Sequence, residues 1–163
     1  MINYNIDICV EITLPPLSII YGEWNMKLLV EEIINEFNNR TTVKGQTGIG
    51  SFVGTWMSRD IDPEVGKSYY CELSLPEIRG EEMIIKRYQD MPTYTDIGLD
   101  GKVVFKGICH AVEDGSMVVS FSYDWIEAFE FSGVDLRMYD TVQFALAKED
   151  IRIYPYDVVK PLI

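Results

Sequence analysis

The chain has 163 residues, 47% of them apolar and 12% aromatic, the make-up of a packed globular protein rather than a disordered segment. Asp and Glu number 26 against 14 Lys and Arg, a formal charge of −12. A surface this acidic repels phosphate backbones and anionic membranes, so neither nucleic acid nor membrane is an expected partner; a protein partner, a basic one suiting the charge, or a cation is allowed.

A length of 163 residues fits a single domain, 1–163, with the turn at 63–66 as the point of subdivision if there are two halves. Cys9, Cys71 and Cys109 are odd in number and widely spaced, which suits a reducing compartment and packing roles. The N-terminus shows no basic stretch followed by an apolar core, and no apolar run approaches the roughly 20 residues needed to cross a bilayer. A cytoplasmic location is expected.

In chain order, residues 2–14 alternate apolar with polar or small, the pattern of a half-buried strand, and Pro15 and Pro16 end it. An apolar connector spans Leu17 to Trp24. Asn25 can cap an amphipathic helix over 26–38, with Met26, Leu29, Val30, Ile33 and Phe37 on one face. The Gly-rich segment 41–56 reads as two strands around a turn near Gly48-Ile49-Gly50. Strand-like runs at 68–75 and 81–88 are split by a Pro-Gly turn, and 91–101 reads as irregular. Glu113-Asp114-Gly115 between 102–112 and 116–123 is the clearest hairpin signal. Segment 124–131 suits a strand or a short helix. Strands at 141–147 and 151–154 follow, the last ending before Pro155. Many short strands and one helix define a mainly-β class: an antiparallel barrel or sandwich, OB-like, with the helix near 26–38.

Gly45, Gly48, Gly50 and Gly54 resemble a phosphate loop, but Ser51 stands where such a loop carries Lys, and Val53 where a dinucleotide loop carries its third Gly. Tight turning and close strand approach explain these glycines, and Gly48 and Gly50 could also edge a small-ligand cleft. Asp60, Asp62 and Glu64 have the spacing of a calcium loop, without its Gly and its closing Glu. His110 is the only histidine and sits in an apolar run, the setting of a structural sheet residue; catalysis would need a Cys or carboxylate from another strand. Glu127 with Glu130, and Glu81 with Glu82, are carboxylate pairs without a supporting motif. Trp24, Trp56 and Trp125 are anchors for a binding surface or for the core. No motif requires a cofactor or a metal.

The stretch Tyr139 to Pro155, YDTVQFALAKEDIRIYP, resembles the closing strands of OB-like barrels of the transport-associated (TOBE) type, where an alternating strand leads into a Glu-Asp-Ile segment. The resemblance implies a barrel. In that family the barrel binds small oxyanions or docks on a transporter ATPase, but no basic pocket residue of the family can be matched here.

The expected function is a non-catalytic binding protein whose acidic surface engages a protein partner, in the manner of a toxin-neutralising immunity protein. The alternative is a barrel that binds a small oxyanion or nucleotide, and a third is an enzyme using His110. The residues expected at a ligand or partner site are Gly48, Gly50, Trp56, Trp125, Glu127 and Glu130.

Overall fold

The computed structural model describes residues 26–36, 39–87 and 92–160. Within them lie β1 (Met26–Glu36), β2 (Arg40–Thr47), β3 (Gly50–Trp56), β4 (Ser68–Ser74), β5 (Ile78–Arg79) and β6 (Ile84–Lys86). Then follow β7 (Tyr94–Ile97), β8 (Val103–Glu113), β9 (Ser116–Ser122), β10 (Trp125–Ser132), β11 (Thr141–Leu146) and β12 (Arg152–Val158). Two single turns of 3-10 helix, Gly80–Glu82 and Lys148–Asp150, are the only helical elements among the described residues.

The chain is mainly β, with a closed five-strand barrel, and is consistent with an OB-like barrel. Five strands pair in the ring β1–β2–β3–β12–β4–β1. Every pairing is antiparallel except β3 with β12. This is the order of a five-stranded Greek-key barrel, in which the last strand slots between the third and fourth. The stretch 75–151 lies between the fourth and fifth strands of that ring, and it builds a second circuit. There β8, β9 and β10 pair in sequence, and β11 returns to β8. The segment from Ile78 to Lys86 closes the circuit: β5 runs parallel to β10, and β6 pairs antiparallel with β11.

The second circuit repeats the pairing scheme of the first, with its closing strand moved to the front of the sequence. β1 and β8 occupy equivalent places. Each is 11 residues long, each pairs by its first half with one neighbour and by its second half with another, and each carries a bulge between those halves. One hydrophobic core joins the two rings: Phe52 of β3 meets Phe105 of β8 edge-on at 5.9 Å, and Phe105 continues to Phe121 and Phe144.

The helix expected near 26–38 is a strand over its described part. Met26, Leu28 and Val30 are fully buried, and Lys27, Leu29 and Glu31 between them are exposed, a period of two. The bulge between Val30 and Glu32 adds one residue and changes the parity, so Ile33 rather than Glu32 faces inward. Period two with a one-residue slip places apolar residues at 26, 30 and 33, which imitates a helical stripe.

The strand over 2–14, the connector to Trp24, and Cys9 lie outside the described residues. The hairpins over 41–56 and 102–123 are present. Asp114 and Gly115 both take positive φ, 39° and 80°, as a two-residue hairpin turn demands. Segment 124–131 is strand β10. The last strand runs on through Pro155, which a register shift beside it accommodates. The irregular 91–101 contains β7, and the Pro-Gly turn contains β5.

Candidate functional site

The outer face of β2 carries Arg40, Thr42, Lys44 and Gln46 at alternate positions, while Val43 and Gly45 point inward. Opposite, β3 presents Ser51, Val53 and Thr55, paired with Gln46, Lys44 and Thr42. Two segments of the inserted circuit stand over this face. The β7–β8 turn is tied by the Gly98 amide donating to the Lys102 carbonyl at 2.9 Å and by the Lys102 amide donating to Asp100 Oδ1 at 3.1 Å. The 3-10 turn Lys148–Asp150 lies on β3, where Thr55 Oγ1 donates to the Lys148 carbonyl at 3.2 Å and the Thr55 amide donates to the Ile151 carbonyl at 2.8 Å.

Two adjoining clefts result, one on each side of that 3-10 turn. The first, about 440 Å³, has Lys44, Lys102 and Lys148, with the Asp100 carboxylate that caps the β7–β8 turn, around an apolar floor of Val53, Ile97 and Ala147. The second, also about 440 Å³, has Arg40, Arg59 and Arg152 around Asn39, Thr55 and Met57. Glu149 lines both. Six of the fourteen basic residues of a chain with charge −12 therefore surround two neighbouring clefts.

Most of these cations are unpaired. Among the described residues, ion pairs engage Lys67, Arg79, Arg87 and Arg137, and tyrosine rings engage Lys27 and Lys106. Lys86 and Lys148 have partners of their own. The basic side chains left without ion pair, hydrogen bond or ring contact are Arg40, Lys44, Arg59, Lys102, Arg152 and Lys160, and all but Lys160 line the clefts. The equivalent face of the second circuit, β9 and β10, carries no Lys or Arg and exposes Glu130.

Thr42, between Arg40 and Lys44, is 1% exposed, and its hydroxyl has no hydrogen-bond partner among the described residues.

The residues expected at a site are scattered. Gly48 is an exposed turn residue. Gly50 has φ 146°, and a Cβ placed on it would stand 1.9 Å from the Thr95 carbonyl oxygen. It is where β3 abuts β7, beside the 3.0 Å contact between the Thr47 and Thr95 hydroxyls. Trp56 edges the arginine cleft but is 7% exposed; its Nε1 donates to the Ile61 carbonyl at 2.8 Å and its ring packs on Tyr69 at 5.0 Å. Trp125 and Glu127 do come together: Trp125 Nε1 donates to Glu127 Oε1 at 3.2 Å.

Glu127 is buried where β10 of the second circuit faces β4 of the first. Burial lifts its carboxyl to about 8; the Trp125 and Leu73 hydrogen bonds oppose that rise and the nearby Glu72 charge adds to it. Glu127 is thus largely a neutral acid joining the rings at mid-range pH, while Glu130, three residues on, is exposed.

Cys71 and Cys109 are buried free thiols, pushed by desolvation up to about 12 and about 11. A thiol that holds its proton is a poor nucleophile. His110 sits at the β8 bulge, half-buried. Among the described residues no three His, Cys, Asp or Glu side chains converge as metal ligands, and no helix is long and apolar enough to cross a membrane. Asp60 and Asp62 lie in an open turn, and Glu64 pairs there with Lys67 at 2.6 Å.

No protein-family model matches the chain, and no curated protein and no solved structure matches it. The TOBE resemblance of 139–155 therefore has no relative behind it, and the barrel itself is what stands. The quoted stretch runs from β11 in one ring to β12 in the other.

Proposed function

We propose that this protein is a non-catalytic, barrel-based binding protein whose cationic clefts on the β2–β3 face hold an anionic ligand. The observation that carries the reading is the set of five cations lining those clefts that have no partner among the described residues. Carboxylates are plentiful among the described residues, yet none of them pairs with these five, and cations open toward a cavity suit an anion from outside. The place supports the same reading: OB-type barrels take ligands on the face of their second and third strands, beside the connection between the fourth and fifth. Here that connection is the whole second circuit, and it supplies Lys102, Lys148 and Glu149 to the clefts. Cys71 and Cys109, buried and holding their protons, offer His110 no thiolate partner.

Isothermal titration with inorganic phosphate, sulfate, choline and glucose tests the proposal. Heat of binding with the two anions alone, abolished when K44A/K102A is combined with R59A/R152A, is the expected result. Equal response to choline or glucose, or anion binding untouched in that variant, would overturn it.

A second reading keeps the acidic surface as a contact for a basic protein partner. Its support is the outer face of β4 and β12, where Tyr70 stacks on Tyr156 at 6.1 Å and Tyr154 and Val158 are exposed near Glu72 and Asp157. Partner association that Y70A/Y156A abolishes and R59A/R152A leaves intact would move the function to that face.

A further inference from the structure

The two clefts differ in chemistry, share one wall and lie on one strand pair. The ammonium groups of Lys44 and Lys102 in the first act as point charges. Three guanidinium groups in the second can grip an oxyanion with paired N–H donors. Between them stands Glu149, which no hydrogen bond or ion pair restrains among the described residues. A carboxylate there repels a third negative group and accepts from a hydroxyl or amine. Arg40 and Lys44, one from each cleft, are four residues apart on β2, about 13 Å along the strand. Two anionic groups on one ligand can therefore engage both clefts only across a spacer of several bonds.

We infer that the two clefts are subsites for one elongated ligand, a polyol or sugar bearing two phosphate groups at its ends, with its hydroxyls turned to Glu149. The inference rests on the anion-binding reading above and adds its ligand class. Contiguous polyphosphates fit less well, because their middle charge falls beside Glu149. Single-stranded nucleic acid is disfavoured because no exposed aromatic platform lies in these clefts among the described residues: the one aromatic lining them, Trp56, is buried and its N–H is engaged. Monophosphates fill one subsite and lose the second contact.

The test is titration calorimetry on the full chain with four probes: inorganic phosphate, ribose 5-phosphate, fructose 1,6-bisphosphate and tripolyphosphate. The proteins are wild type, K44A/K102A, R59A/R152A and E149Q. All five positions are exposed, and an unchanged melting temperature establishes that each variant folds. Fructose 1,6-bisphosphate is expected to bind at least tenfold more tightly than ribose 5-phosphate. Each double variant should bring it down to the monophosphate level. E149Q should weaken the bisphosphate several-fold and tighten tripolyphosphate. If bisphosphate binds no more tightly than monophosphate, or if one double variant leaves it unaffected, the clefts are separate sites and the two-subsite inference fails while anion binding stands. Tripolyphosphate preferred over the bisphosphate in wild type would also overturn it. If none of the four probes binds, the anion-binding reading itself falls.

Discussion

Glu127 makes stability fall as pH rises through the neutral range. Its carboxyl titrates near 4.5 when exposed and near 8 in the fold, where burial between β10 and β4 disfavours the charge. Between those values the folded protein holds a proton that the unfolded chain has released. Stability from this group is therefore full below about pH 4.5 and is lost as pH climbs through 8. Each pH unit in the window is worth about 1.4 kcal/mol, and the whole window at most about 5 kcal/mol, an upper bound for a rigid site. Glu127→Gln keeps an oxygen for Trp125 Nε1 and removes the titration. Urea unfolding of both proteins at half-unit steps from pH 5 to 9 isolates the group, because the 25 other carboxylates cancel in the comparison. The stability of Glu127→Gln minus that of wild type should grow steadily up to about pH 8 and then level. A difference that does not change with pH would refute the account of Glu127 as a buried neutral acid.

Thr42→Val removes, at nearly constant volume, a buried hydroxyl that has no partner among the described residues; it should raise stability by about 1 kcal/mol in the same urea assay. Gly50→Ala forces a Cβ against the Thr95 carbonyl at a φ of 146°, and a loss of roughly 2–4 kcal/mol is expected, read as a fall in melting temperature. Cys71 and Cys109 should react with iodoacetamide at pH 8 only at the rate of unfolding, since both are buried and keep their protons there; tryptic mass mapping after timed labelling separates them.

Local pairing was legible in the sequence, and closure was not. The hairpins at Gly48 and at Asp114-Gly115 carry their turn chemistry in two or three residues, so composition alone places them. The strand from Met26 was lost to a bulge, because one inserted residue converts alternation into something close to a helical stripe. Pro155 misleads for a related reason: proline ends a regular ladder, but here the register shifts beside it and the strand continues. Nothing local could show that 75–151 forms a second circuit with the first circuit's pairing scheme, since its closing strand comes first in the chain. The clefts were hidden by averaging. A charge of −12 suggests an acidic surface everywhere, yet Arg40, Lys44, Arg59, Lys102 and Arg152 come from four separate segments that only the fold assembles. The alternation of Arg40, Thr42 and Lys44 on one strand was the available signal, and it is informative only once β2 is known to face a cleft. Trp125 and Glu127, each expected at a ligand or partner site, meet instead at the joint between the rings, a contact that nothing in the sequence signals.

The most direct measurement of the central claim is a map of amide shifts in ¹⁵N-labelled protein titrated with inorganic phosphate at low ionic strength. Saturable shifts are predicted at Arg40 to Lys44, Val53 to Arg59, Gly98 to Lys102 and Ala147 to Arg152, and they should be suppressed by 0.5 M sodium chloride. Shifts centred on Tyr70 and Tyr156, or a spectrum that phosphate leaves unchanged, would contradict it.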